Sequence, residues 1–465
     1  MEQAAPAQPA QAQPAQEQAA TAAPGGIGAP MAPTKIEDTG LDQAFLINLF
    51  AKGMFLENLE DIAQITQAIK LPDNIVSAIA QEMVERKLIY AVGSSGAGAG
   101  AAVRYQLTKD GQQLAQDACN QNLYFGPAPV RLEQYQARIR SQSIAGERIS
   151  KEDIAKAFSD IVVPGEFISR LGPAINSGHS ILIYGPAGNG KTTVAEKVAA
   201  IFESVIYVPY CFEIDGAIVK VFDPAIHKEV EAAGGGEPSR PTLRRSKNDR
   251  RWVPCRRPVV VTGGELTLEM LDLRFNELTK FYEAPLHVKA LNGTFIIDDF
   301  GRQKVSPSEL LNRWIVPLQS RIDNLTLFSG KAFILPFDEL VIFSTNLSPD
   351  DLMDPAFLRR IPYKLETHMP TPEAFRAIFT AVAGKAGMEL TDEIFDHVVQ
   401  QLTEVVKKPL ACYQPKFIVD QVIAACKYEG IEPNLTPAFI EDALSNLYVQ
   451  KSTYVGQVGM GAPKT

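Results

Sequence analysis

Cysteine is scarce in this chain. There are five in 465 residues, at positions 119, 211, 255, 412 and 426, and no C-x-x-C occurs. That spacing suggests neither a disulfide framework nor a zinc site of paired cysteines. Long apolar runs are missing too. No stretch approaches the roughly 18 uninterrupted apolar residues of a membrane-spanning helix. The start, "MEQAAPAQPA", lacks a basic region followed by an apolar run, so no secretory signal is expected. Positive charge is in deficit: the net charge of −9 gives no bulk attraction to nucleic acid or anionic lipid, and only a local patch could supply one. A reduced, cytoplasmic setting is the expectation. What remains is a chain 46% hydrophobic, ordinary for a globular protein, and long enough for about three domains.

The first 34 residues are an Ala/Pro/Gln tract with two charged side chains, Glu2 and Glu17. Such a segment buries too little to offset the entropy of ordering, so residues 1–40 are read as a disordered tail. Helical periodicity begins at Leu41, Phe45, Leu46, Leu49 and Phe50 and continues through Ile62, Ile65 and Ile69, then Ile75, Ile79 and Met83. Two short strands, "LIYAV" and "VRYQL", flank a Gly/Ala/Ser hairpin tip, and "TKDGQQLAQDA" closes the unit as a helix. Three helices and a two-stranded wing over residues 41–124 resemble a winged-helix domain. Its third helix sets Asp73, Glu82 and Glu85 against Arg86 and Lys87. That balance argues against duplex binding, which draws on phosphate neutralisation; protein docking or spacing is the alternative.

A Gly/Pro cluster opens a linker at 125–160. From 161 to 368 apolar strands alternate with helical patterns, which predicts an α/β domain with a parallel sheet. Residues 369–450 read as four helices, with Thr371, Thr391 and Thr436 as N-cap candidates, and 451–465 as a flexible tail.

The strongest local signal is "SILIYGPAGNGKTTVAEKV". A strand runs into Gly185, Pro186, Ala187, Gly188, Asn189, Gly190, Lys191, Thr192 and Thr193, and a helix follows. This is G-x-x-x-x-G-K-T in the strand–loop–helix setting that gives it meaning. Glycines let backbone amides converge on phosphate oxygens, and the helix N-terminus adds partial positive charge. Lys191 would reach the β- and γ-phosphates, and the Thr192 hydroxyl would hold Mg²⁺. A bare Gly-rich turn is the bland alternative.

A phosphate loop needs a second strand that brings a carboxylate to the metal. "TFIIDDF" supplies one, with Asp298 at the strand end and Asp299 next to it. Asp298 is the candidate metal-side group, and Asp299 stands where a carboxylate would orient or deprotonate attacking water. Phosphate loop, then "IIDD", then "VIFSTN", then "DPAFLRRIPYKLE", then helices: this order is similar to the AAA+ ATPases, and "LNGTFIIDDF" looks like a segment of their MoxR-like and enhancer-binding members. The resemblance covers roughly residues 160–450 and implies an α/β ATPase domain with a four-helix lid, using ATP and Mg²⁺. It implies a sensor role for Asn346 and a trans-acting arginine at Arg359 or Arg360. Lys416 stands where many members have a phosphate-facing Arg. The second acidic place usually holds Glu, so Asp299 is one methylene short.

Between Arg240 and Arg257 lie eight basic residues and one acid, Asp249. Nucleic acid, an acidic protein tail or a neighbouring subunit could meet such a run; a solvated insertion is the bland alternative. The resemblance implies a bacterial AAA+ ATP hydrolase that assembles as a homo-oligomeric ring and remodels a protein partner. The alternatives are a DNA-coupled ATPase using the winged helix and the basic run, or a slowly hydrolysing nucleotide-dependent switch.

Overall fold

Three short apolar segments of the chain, Ile181–Tyr184, Thr294–Ile297 and Leu340–Thr345, are buried on both faces, the mark of parallel strands covered by helices on either side. The computed structural model describes residues 28–95, 102–230 and 247–448. Its central sheet runs, from one edge to the other, Tyr363–Glu366, Ile181–Tyr184, Leu340–Thr345, Thr294–Ile297 and Val259–Thr262, and every neighbouring pair is parallel. Numbered along the chain, the strands lie in the order 5-1-4-3-2. The first strand therefore has later strands on both sides, the topological switch at which ligands of open α/β sheets bind.

Alternation along the strands sorts the two faces. Ile181, Ile183, Ile296, Leu340 and Ile342 pack with Leu171, Ile175, Val194 and Val198 of the helices Gly165–Ser177 and Lys191–Ala200. Leu182, Phe295, Ile297, Val341 and Phe343 pack on the other side with Leu310, Leu311, Trp314 and Phe357. The expected α/β class with a parallel sheet is therefore present, and the sheet has five strands.

A second sheet, absent from the sequence reading, lies beside the first. It is mixed and runs Arg274–Asn276, Phe281–Glu283, Ala217–Lys220, Cys211–Ile214 and Val130–Arg131. Val130, Tyr135, Ile139, Phe212, Trp252, Tyr282 and Phe333 form its core. This corrects the linker at 125–160. Val130–Arg131 is a strand, Leu132–Ser141 is a helix whose Leu132, Tyr135 and Ile139 face that core, and Ile154 and Phe158 pack on the parallel sheet. The helical spacing of those apolar residues was in the sequence, next to a Gly/Pro cluster that marks only a turn.

One further expectation is overturned, and another holds only in part. Residues 28–40, assigned to the disordered tail, are bonded to the body: Asp249 N–H donates to Pro30 O at 2.8 Å and Ala32 N–H to Lys247 O at 2.9 Å. Residues 1–27 and 449–465 lie outside the described residues, as do Arg240, Arg244 and Arg245 of the basic run. Of the described part of that run, Arg251 and Arg257 are buried while Lys247, Arg250 and Arg256 are exposed, so the segment is part structural anchor and part solvated surface. Arg251 pairs with Asp249 at 2.8 Å and donates to the carbonyls of Thr39 and Pro129, each at 3.1 Å. Arg257 donates to Glu147 at 2.7 Å, Ser204 Oγ at 2.7 Å, Gln142 O at 3.0 Å and Asn292 O at 2.5 Å. A buried guanidinium is tolerated only when its donors are satisfied, and these are.

Residues 43–121 form helices Gln43–Leu56, Ile62–Ile69 and Asp73–Glu85, the antiparallel pair Ile89–Ser95 and Ala102–Leu107, and helix Lys109–Gln121. Leu46, Phe50, Ile65, Ile69, Ile75, Ile79 and Met83 meet in its core. After Glu366 the chain is helical, through Pro372–Lys385, Asp392–Gln400, Gln414–Glu429 and Pro437–Leu447. The hydroxyls of Thr371, Thr391 and Thr436 accept from the amides of Ala374, Ile394 and Phe439, which caps three of these helices. Among the described residues no helix is long and apolar enough to cross a membrane.

Glu339, just before the Leu340–Thr345 strand, is fully buried and neither carboxyl oxygen has a hydrogen-bond partner among the described residues. Burial pushes its pKa well above the ordinary 4.5; the Arg321 charge opposes this, while Asp323 and Asp338 reinforce it. The folded carboxyl holds its proton and the unfolded one loses it. Its contribution to stability is thus fully present below pH 4.5 and is lost as pH rises toward the folded pKa, by about 1.4 kcal/mol per pH unit. Glu339→Gln should therefore gain stability relative to the unaltered chain, with the gap widening by about that slope above pH 4.5 in urea unfolding. A gap independent of pH would show that the carboxyl ionises freely in the fold.

Candidate functional site

The Ile181–Tyr184 strand ends at Gly185, and the helix Lys191–Ala200 starts after Gly190. Between them the chain turns through positive φ at Gly185 (136°), Gly188 (77°) and Gly190 (78°). Side chains are excluded for a second reason. A Cβ on Gly185 would lie 2.2 Å from Thr367 O, and one on Gly188 would lie 2.3 Å from Tyr413 Cδ1. The first bond of the helix is Val194 N–H to Gly190 O at 2.8 Å. The amides of Lys191, Thr192 and Thr193 precede it and have no intrahelical acceptor, which makes this end a place for an anion.

Lys191 is buried, and its ammonium donates to Gly185 O at 3.0 Å and Pro186 O at 2.9 Å. Burial lowers its pKa, while the nearby charges of Asp299 and Asp298 act to raise it. Asp298 follows the fully buried Thr294–Ile297 strand, and its amide continues the sheet by donating to Thr262 O at 2.8 Å. Its carboxylate accepts from Thr192 Oγ1 at 2.8 Å. Two oxygen donors thus stand side by side, from the helix after the glycine-rich loop and from the end of another strand of the same sheet. They are hard ligands of the type Mg²⁺ takes alongside phosphate oxygens.

Asp299 sits at φ 47° and is exposed, and its Oδ1 accepts from Asn346 Nδ2 at 3.0 Å. Asn346 directly follows the Leu340–Thr345 strand. The unusual backbone at Asp299 is held by a side chain that sequence reasoning did not single out. Gln303 Nε2 donates to the carbonyls of Asp298 at 2.9 Å and Asp299 at 3.2 Å, and its Oε1 accepts from Gly301 N–H at 2.8 Å. No motif marks Gln303; only the fold closes that turn.

These groups line a cleft of about 840 Å³. Ala187 through Thr193, Asp298, Asp299 and Asn346 form one wall, and Lys416 lines the other, with its ammonium 2.6 Å from Asp420. Gly185 and Pro186 contribute through the carbonyls that hold Lys191. Arg359 and Arg360 are not brought there. Arg359 is exposed at the end of the helix Pro355–Leu358, and Arg360 lies over the Phe357 ring with Nε 3.4 Å from Gln319 Oε1. The cleft also includes residues not foreseen: Asp160 to Val163 at one end, and Ile378, Val382, Lys385, Cys412, Tyr413 and Phe417 from the helical segment. The run "IVVP" carried a faint signal, three apolar residues at an element boundary; Tyr413 carried none.

The family described as Domain of unknown function (DUF8689) matches residues 371–446. No curated protein matches the chain. Among solved structures the chain is similar to NtrX from Brucella abortus, at 14% identity over 76% of this chain and 70% of that one, with a TM-score of 0.38. It is also similar to the RuvB Holliday junction branch migration motor of Thermotoga maritima, at 15% identity over 65% and 71%, TM-score 0.32. Subunits BchI and BchD of magnesium chelatase give 17% identity over 62% and 95%, TM-score 0.34. At such values the likeness carries no argument about activity, which must come from the site itself.

Gly188→Ala tests the packing of the loop. A non-glycine residue at φ 77° beside the Tyr413 ring should cost about 1–3 kcal/mol, read as a lowered urea midpoint. An equally stable variant would mean that the loop can draw back from Tyr413 at no cost.

Proposed function

We propose that this chain binds ATP with Mg²⁺ in the cleft and hydrolyses it, as an AAA+ type homo-oligomer that remodels a protein partner. The observation that carries the proposal is the 2.8 Å contact between Thr192 Oγ1 and Asp298 Oδ2. It joins the end of a glycine-rich phosphate loop to a carboxylate on another buried strand of the same sheet, at the switch point of the sheet.

Thr192 and Asp298 would hold Mg²⁺, which when bound neutralises charge on the phosphates. Lys191 is the only side-chain cation of the loop from Gly185 to Thr193 and meets the β- and γ-phosphates. Asp299 accepts the proton of the attacking water, and Asn346 keeps that carboxylate oriented. Ile161, Val162, Ile378 and Phe417 offer apolar surface for a base at the far end of the cleft. Lys416 and Lys385 line the same cleft and supply cations from the lid. Since neither Arg359 nor Arg360 lines the cleft of its own chain, either of them would act here from a second copy. Residues 41–124 serve on this view as a winged-helix docking module, and 369–450 as a lid whose angle follows the nucleotide.

A protein partner is preferred over DNA because the net charge is −9 and Arg251 and Arg257 are committed to internal carbonyls and carboxylates, which leaves Lys247, Arg250 and Arg256 as the exposed cations of the described part of the run. A switch that hydrolyses slowly is the second reading. It is favoured by the short, exposed side chain of Asp299, whose carboxylate is already bonded to Asn346.

Lys191→Ala should abolish ATP binding in a titration; unchanged affinity would remove the loop from the site. Asp299→Asn should bind ATP yet lose turnover by about 10²–10⁴, the range of a catalytic acid–base group. Survival of turnover within about threefold would assign that role elsewhere. Arg360→Ala should lose about 10³–10⁵ in rate if the arginine acts on the transferred phosphoryl group. Mixing Asp299→Asn with Arg360→Ala should then restore part of the activity, since some interfaces pair an intact carboxylate with an intact arginine. A co-assembled mixture that stays inactive would place the arginine in a structural role. An active Arg360→Ala would move the test to Arg359.

A further inference from the structure

One wall of the cleft touches the phosphate loop itself. Two consecutive amides of the helical segment donate into it: Cys412 N–H to Asn189 Oδ1 at 3.3 Å, and Tyr413 N–H to Gly188 O at 3.1 Å. The Tyr413 ring lies so close to Gly188 that no side chain fits between them. On its other side the contact is braced. Tyr413 Oη meets Tyr448 Oη at 3.0 Å, and Gln414 Nε2 donates to that same Tyr448 oxygen at 2.8 Å. Gln414 is fully buried, accepts from Ala411 N–H at 2.7 Å and donates to Pro409 O at 3.0 Å. Residues 409–414 are thus tied internally and bonded to the loop as one piece.

These bonds use acceptors of the loop, a carbonyl and a side-chain oxygen. They leave its amides, the groups that would meet phosphate, untouched. Any rotation of the helical segment breaks both bonds and lifts the ring away from a turn held at φ 77°. We propose that Tyr413 is a positioning residue that latches the lid onto the phosphate loop, so that lid posture sets how long a nucleotide stays bound. The proposal rests on the cleft being a nucleotide site for its ligand, though the latch itself does not. Coupling of this kind is reciprocal: if the lid steadies the loop for nucleotide, nucleotide steadies the lid.

The test is amide hydrogen exchange on the full chain, with and without ADP, beside the dissociation rate of a methylanthraniloyl-ADP probe. Without nucleotide, Tyr413→Ala should speed exchange of residues 409–420 at least about fivefold and leave the central strands unchanged, as expected for a local opening. ADP should slow exchange there in the unaltered chain and fail to do so in Tyr413→Ala. Probe dissociation should rise about tenfold with little change in association, because the lost contact acts after encounter. Tyr413→Phe keeps the ring and should restore all three; a ring that only fills space would not link ADP to lid exchange. Tyr413→Leu takes the place of the alanine variant if that one does not fold. Lid exchange within about twofold of the unaltered chain, or equal ADP protection in Tyr413→Ala, overturns the latch. If the unaltered chain binds no probe, the nucleotide reading fails, and the exchange measured without nucleotide still decides whether Tyr413 holds the lid to the loop.

Discussion

At the base of the parallel sheet a single buried network holds three strands at their starting ends. Arg257 precedes the Val259–Thr262 strand, Asn292 precedes Thr294–Ile297, and Asp338 precedes Leu340–Thr345. The guanidinium of Arg257 donates to Asn292 O. The Asn292 amide group donates to Asp338 at 2.6 Å and to Ile139 O at 2.9 Å, and accepts from Gln142 at 2.9 Å. Asp338 in turn accepts from Ser143 Oγ at 2.6 Å and Ile144 N–H at 3.0 Å. Loss of one member would leave several buried polar groups unpaired, which costs far more than the net worth of one hydrogen bond. At the opposite ends of two of these strands stand Asp298 and Asn346, and the third ends at Thr262, whose carbonyl holds the Asp298 amide. Strands anchored below deliver carboxylates and an amide to fixed places above.

Charge is used locally and for contrary purposes in this acidic chain. Two arginines of the densest basic run are drawn inward, where Arg251 and Arg257 fasten loops to the two sheets. In the cleft the pattern inverts. Two carboxylates face one buried lysine, and burial works against the charge of Lys191 while Asp299 and Asp298 favour it. A site of this kind would receive further negative charge only when counter-charge arrives with it, which is the electrostatic ground on which the proposed reading pairs Mg²⁺ with a nucleotide.

Four positive-φ residues stand at the same place. Gly185, Gly188, Gly190 and Asp299 all have positive φ within or beside the cleft. Three of the four are held by a neighbouring contact: Thr367 over Gly185, Tyr413 over Gly188, and Gln303 across the turn at Asp299. Such conformations persist only where the surroundings over-determine them, and they tend to gather at functional sites.

The phosphate loop, the IIDD strand end and the Asn346 strand were legible in the sequence because each is a local pattern: an apolar strand followed by residues whose types and spacing carry their own chemistry. The α/β class and the capping threonines were legible for the same reason. The strand order 5-1-4-3-2, the second sheet, the burial of Arg251 and Arg257, and the roles of Gln303 and Tyr413 were not. Gln303 meets its turn across a few residues, but Tyr413 reaches Gly188 across more than two hundred, and Arg251 reaches Thr39 across a similar span. Local propensity and spacing specify which chemical groups the chain carries and on which kind of element. Which of them meet, and whether a charge faces water or a carbonyl, is decided by long-range packing, because a hydrogen bond's worth depends on the solvent its surroundings exclude.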